Sequence, residues 1–150
     1  MPKTENGVYE FKTKYYAGKI KAVAIKDGKV IGTHMLETEG KAEKITLRKE
    51  KSYIAKGASK PQDEIIYVDV RITDKDGATC TQSSNTVTYT ATGADILGVA
   101  SGELTTTEKY IDTTHRVCAG KCLVVLKKHK GTKNATLKAE CDLGKTEITL

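Results

Sequence analysis

Apolar and polar residues alternate along most of this chain with the two-residue period of β-strands, and turn signals punctuate the runs. Residues 18–26 (GKIKAVAIK) set Ile20, Ala22 and Ala24 against Lys19, Lys21 and Val23. Asp27-Gly28 then predicts a two-residue hairpin turn, because Gly tolerates positive φ, and residues 29–32 return as the partner strand. Residues 45–48 (ITLR) read as another short strand. The clearest alternation is Glu64–Thr73 (EIIYVDVRIT). There Ile66, Val68, Val70 and Ile72 are expected to face a core and Tyr67, Asp69 and Arg71 to face outward, before a turn at Asp74-Lys75-Asp76-Gly77. Residues 86–92 (TVTYTAT), 135–141 (ATLKAEC) and 146–150 (TEITL) follow the same period. Residues 122–127 (CLVVLK) are almost continuously apolar, as in a strand covered on both faces. Residues 105–114 are polar and unpatterned and read as a long connection. With no helical period in competition, the fold class is all-β, and two sheets packed face to face are needed to bury the apolar sides. An Ig-like β-sandwich is the expected architecture.

A boundary is visible within residues 49–62 (KEKSYIAKGASKPQ), which are dense in Lys and Gly and carry Pro61. Upstream there are only about four strands, too few to close a core alone. The first part is therefore expected to be a fragment, an added layer or half of a dimer, whereas the residues downstream hold enough strands for a full seven-strand sandwich. Without their sheet partners, residues 7–48 are expected to expose strand edges or apolar surface and to support self-association.

Composition narrows the function classes. Twenty-one threonines and only two prolines among 150 residues suit strands, since β-branched side chains pack well on a pleated surface. The formal net charge is +6, yet only Arg48, Arg71 and Arg116 among the 25 cations are Arg. Nucleic-acid recognition relies on the planar guanidinium fork, so no nucleic-acid partner is expected; scattered Lys instead discourages edge-to-edge pairing. The chain has no apolar run long enough to span a membrane, and no membrane partner is expected. Met1-Pro2-Lys3-Thr4-Glu5 lacks the apolar stretch of a secretory signal. The chain is also too short for a (β/α)₈ barrel, which takes about 250 residues.

Specific residues then carry a resemblance. From Gly7 through Tyr15-Tyr16-Ala17-Gly18-Lys19-Ile20-Lys21-Ala22 to the Asp27-Gly28-Lys29 turn and its return strand, the order resembles the β-galactosidase group of family 2 glycoside hydrolases. In that group an aromatic strand leads through Tyr-x-x-Gly-x-Leu-x-Ala to a strand, a Gly-Lys turn and a return. Thr38-Glu39-Gly40 is similar to the Thr-Ala-Gly that follows, and Ile45-Thr46-Leu47 to the next strand. The rest resembles the Ig-like domain that closes many such enzymes. Residues 63–77 fit its long central strand and Asp-x-x-Gly turn, residues 93–103 fit a Gly-x-x-Ile-Leu-Gly-Val-x-Asn-Gly-Asp segment, and Arg116 with residues 120–125 fits the Arg…Gly-Lys-strand that comes next. Ser101 and Glu103 replace the usual Asn and Asp, and Cys118 stands where an aromatic is common.

The resemblance implies that residues 1–49 are a partial upstream β-sandwich module and residues 50–150 a C-terminal Ig-like β-sandwich domain, together a non-catalytic accessory region that supports its parent enzyme. The remaining domains of that glycoside hydrolase would be its partners, in a periplasmic or extracellular parent. The family's acid/base and nucleophile glutamates lie on a barrel that this chain does not contain, so no catalytic residue is assigned here. Other readings are an Ig-like adhesion or spacer module of a cell-surface protein and a carbohydrate-binding module. For the latter, Tyr15 and Tyr16 are the tentative sugar contacts, although the lack of Trp argues against a dedicated platform. His115, Cys118 and Cys122 have a His-x₂-Cys-x₃-Cys spacing, but structural zinc takes four ligands, usually as two close pairs, and no metal or other cofactor is expected. Cys118 and Cys122 are the candidate disulfide, flanking Ala119-Gly120; four small, reduced, buried thiols are the competing reading. The basic run Lys127-Lys128-His129-Lys130, with Lys133, reads as solvated turn residues.

Overall fold

The structure is a computed structural model that describes residues 4–5, 8–50 and 64–150. Residues 51–63, which hold most of the expected boundary segment and Tyr53, lie outside the described residues, as do Met1-Pro2-Lys3 and Gly7. Contacts divide the chain into two compact units, Met1–Thr38 and Glu39–Leu150.

In the first unit β1 (Thr4–Glu5) pairs antiparallel with β2 (Val8–Tyr9), and β3 (Lys19–Lys26) with β4 (Lys29–Glu37). Asp27 and Gly28 close the second hairpin with φ of 50° and 73°. Both angles are positive, the condition for the type I′ turn whose twist matches that of the flanking strands. The register slips between Ala24 and Ile25, which pair with Gly32 and Val30 and leave Ile31 as a bulge. An ion pair of 3.1 Å between Lys19 and Glu37 joins the far end.

The second unit is a β-sandwich. One sheet is ordered β5 (Lys44–Lys49), β6 (Glu64–Thr73), β10 (Lys121–Lys128), β8 (Ala94–Ala100). The other is ordered β12 (Gly144–Thr149), β11 (Thr136–Cys141), β7 (Thr86–Thr92), β9 (Thr114–Arg116). All of these pairings are antiparallel, and the described residues contain no helix. The expected inward residues of β6, Ile66, Val68, Val70 and Ile72, are each 0% exposed. Pairing sets Val68 beside Val124 and Ile66 beside Leu126, and these join Val87, Tyr89, Leu137 and Ala139 of the opposite sheet in one core. Fully burying such side chains contributes about 1.5–3 kcal/mol each before entropy is charged against it.

The structure differs from the sequence expectation at several points. β5 pairs along β6 from Lys44↔Thr73 to Lys49↔Val68, so it is a strand of the sandwich, and the contact division falls between Thr38 and Glu39 and not at residue 49. A hydrophobic Ile45 facing Ile72 decides this, because both side chains enter the same core. The two-residue period does not predict β8, whose residues do not alternate. A register shift pairs Gly98 with Val125 and Ile96 with Leu126, so that Leu97 drops out of phase. β10 is fully buried on its inner face only; Leu123 and Val125 on the outer face are half-buried.

Candidate interaction surface

The β3–β4 hairpin carries apolar residues on both faces. Cross-strand pairs Ile20↔Leu36, Ala22↔His34 and Ala24↔Gly32 lie on one side, and Lys21↔Met35 and Val23↔Thr33 on the other. Ile20, Val23, Ile25, Val30, Ile31 and Leu36 are all exposed. A groove borders Phe11, Ala22, Ile25, Ile31 and His34. A contiguous apolar surface of this kind is suited to covering by protein and offers little to an ion or a charged ligand.

Tyr15 and Tyr16 are 79% and 77% exposed. The Tyr15 hydroxyl lies 3.3 Å from Thr38 Oγ1, which also accepts the Gly18 N–H at 3.1 Å, while Thr38 N–H donates to the Gly18 carbonyl at 2.8 Å. This bonded corner holds the end of the Tyr15 side chain and leaves much of its ring open to solvent.

The residues weighed as metal ligands go to separate places. His115 is fully buried on β9, with Nδ1 3.1 Å from Glu108 Oε2 and 3.2 Å from the Arg116 carbonyl. The Tyr110 ring stacks parallel to it at 6.3 Å between centroids. Glu108 also accepts the Arg116 N–H at 3.0 Å, so this carboxylate pins the connection after β8 to β9. Cys118 sits in a second two-residue turn, where its N–H and carbonyl each bond Lys121 at 3.0 Å and Ala119 and Gly120 have φ of 48° and 68°. Cys122 points into the core and donates to the Ala100 carbonyl at 3.2 Å. All four cysteines are free, so the Cys118–Cys122 pairing is not formed in the structure; the turn sets Cys118 opposite Lys121 and sends Cys122 inward. Burial pushes the Cys122 thiol up, which keeps it protonated and unreactive at neutral pH. The same cause raises the Tyr89 hydroxyl beside it. Among the described residues no three His, Cys, Asp or Glu side chains come together to hold a metal ion.

The firmest polar cluster is one that sequence reasoning took only for a turn. Asp74 accepts the Gly40 N–H at 2.8 Å through Oδ2, and the Asp76 and Ala78 N–H groups at 3.0 and 2.9 Å through Oδ1. These backbone donors, Gly40 first, hold its carboxyl below the usual range. Glu39 accepts Thr81 N–H at 2.6 Å and Gln82 N–H at 3.3 Å, and the Thr81 donor likewise lowers it. The Asp-x-Asp-Gly spacing signalled the turn, but nothing local pointed to Gly40 as the third donor. In the basic run, Lys128 Nζ donates to the Leu150 carbonyl at 3.3 Å and His129 Nε2 lies 2.9 Å from Asp95 Oδ1.

Comparison with known proteins adds the family. The model of the glycoside hydrolase family 2 C-terminal domain 5 matches residues 45–149, the extent of the sandwich from β5 to β12. The chain is 29% identical over 117 residues to the beta-galactosidase BoGH2A of Bacteroides ovatus, an alignment covering 77% of this chain and 13% of that protein. A beta-glycosidase from Bacteroides vulgatus superposes with a TM-score of 0.83 at 28% identity, over 99% of this chain and 19% of that one. A glycosyl hydrolase family 2 member from Bacteroides cellulosilyticus shares the fold, with a TM-score of 0.77 at 24% identity, over 93% and 19% of the two chains. The chain thus spans about an eighth of the length of the curated relative. With more than half of its residues under that family model, in the order the sandwich requires, the chain belongs to the glycoside hydrolase family 2 C-terminal domain 5 family.

Proposed function

We propose that this chain is a non-catalytic accessory region of a β-galactosidase-like family 2 glycoside hydrolase, and that its work is structural support of the parent enzyme. The observation that carries the reading is the match of the C-terminal domain family over residues 45–149. Retaining glycoside hydrolysis uses two carboxyls about 5 Å apart across the sugar. The carboxylates built most firmly into this chain, Asp74 and Glu39, are instead occupied by backbone amides. The first unit is read as part of an upstream sandwich module. Its two-faced apolar hairpin is the surface that the remaining domains of the parent would cover, and the surface through which the isolated chain would self-associate.

Pure chain incubated with chromogenic β-galactosides tests this directly. No turnover above buffer is expected, and measurable turnover would overturn the proposal. The exposed rings of Tyr15 and Tyr16 favour a second reading, carbohydrate binding. A glycan array on the same preparation decides it: signal lost in Tyr15→Ala supports sugar recognition, and a silent array removes it.

A further inference from the structure

The segment that follows the first unit is tied to the sandwich by far more than chain connectivity. Glu39 reaches the Thr81 and Gln82 amides. Gly40 N–H donates to Asp74, and its carbonyl accepts the Cys80 thiol at 3.6 Å. Ala42 packs against the core, Glu43 N–H donates to the Thr73 carbonyl at 3.0 Å, and Lys44 Nζ reaches the Lys75 carbonyl at 3.2 Å. Asp74 is itself buried and also holds its own turn, which the Asp74 N–H to Ala78 carbonyl bond closes at 3.0 Å. A Cβ added at Gly40 would stand 3.2 Å from Asp74 Oδ2, so the close approach favours glycine. Bonds from backbone N–H groups to carboxylates are stronger than neutral ones.

We infer that Glu39 and Asp74 act as a two-carboxylate clasp that makes residues 39–43 a fixed part of the sandwich and not a free linker. The two acids divide the work. Glu39 fastens the segment to the loop after Cys80, and Asp74 fastens it to the turn after β6, just before β5 begins its pairing with β6 at Lys44↔Thr73. A conventional linker of Gly, Lys and Glu would exchange its amides freely; this one is held by the Gly40 N–H on Asp74, by the Thr81 and Gln82 N–H groups on Glu39, and by the Glu43 N–H on the Thr73 carbonyl.

Amide hydrogen exchange on the full chain, read residue by residue by NMR, tests the clasp. Asp74→Asn keeps one oxygen for Asp76 and Ala78 but turns an N–H₂ group toward Gly40, donor against donor. The Gly40 amide should then exchange about tenfold faster or more, while Val68 and Val124 in the central strands keep their protection. Glu39→Gln should accelerate Thr81 or Gln82 in the same way and spare the core, and it serves independently should Asp74→Asn fold poorly. A Gly40 amide that exchanges at the free-peptide rate in the unsubstituted chain would overturn the inference. So would no acceleration in either variant, or equal acceleration at Gly40, Val68 and Val124, which would make these acids general folding residues.

Discussion

Two tight turns in this molecule share the same local chemistry and lead to opposite fates: the first joins the paired strands β3 and β4, the second joins β9 of one sheet to β10 of the other. At Asp27-Gly28 and at Ala119-Gly120, consecutive residues of positive φ turn the chain in two residues. After the first turn, Val30 and Ile31 are exposed; after the second, Cys122, Val124 and Leu126 are buried. Turn geometry therefore reverses the chain, but it does not make a core. Strand β10, which follows the second turn, has a facing sheet that supplies Val87, Tyr89, Leu137 and Ala139; the described residues of the first unit offer the β3–β4 hairpin no such layer. Apolar side chains without a second layer are surface, and in a domain of a larger enzyme such surface is where neighbours belong.

The largest expected break in this comparison is at the turns themselves. Gly120→Ala drives a methyl into the Cys80 carbonyl, where backbone must move, and should cost the sandwich about 3 kcal/mol or more in urea denaturation. Gly28→Ala meets nothing within 4 Å, so only the left-handed conformation is charged against it, about 1–2 kcal/mol, read as loss of hairpin cross-peaks by NMR. Equal effects at the two sites would show that the Gly120 packing carries no weight.

Core substitutions come next. Leu126→Ala should destabilise by about 3 kcal/mol, whereas Ile25→Ala should change stability by less than about 0.5 kcal/mol. Light scattering sharpens the contrast: Ile25→Lys should reduce self-association, and Lys at an exposed sandwich position such as Thr90 should not. A chain already monomeric at high concentration would remove the self-association proposal.

Acid should produce the smallest difference. Asp74 and Glu39 titrate below their ordinary range, so their contribution is complete above the unfolded carboxylate values of about 4 and is lost as pH falls through the folded values. The melting temperature of the unsubstituted chain should therefore fall more steeply than that of Asp74→Asn as pH drops below the ordinary carboxylate values of about 4, and the two curves should converge once Asp74 is protonated. Parallel curves would mean that Asp74 is not differentially stabilised by folding.

Much of the sandwich was legible from period alone. Strand β6 reads directly, because strict alternation maps each residue to one face and the core residues are the ones alternation names. Strand β8 did not, because a bulge breaks the period at Leu97. The contact of His115 with Glu108 was equally hidden, since six residues, most of them irregular loop, separate them and no spacing rule spans such a path. Tyr15 and Tyr16 could be named as rings but not as exposed rings.

By itself the sequence determined the all-β class, the positions of the Asp27-Gly28 and Asp74–Gly77 turns and the inward residues of the best-patterned strands, because these depend on backbone sterics and on a two-residue period. Only the tertiary structure decided that β5 belongs to the sandwich, that Asp74 reaches back to Gly40, and that the β3–β4 hairpin shows both faces to solvent. Those facts depend on which segments meet across tens of residues, and hydrophobic pattern specifies that a face must be covered without specifying by what.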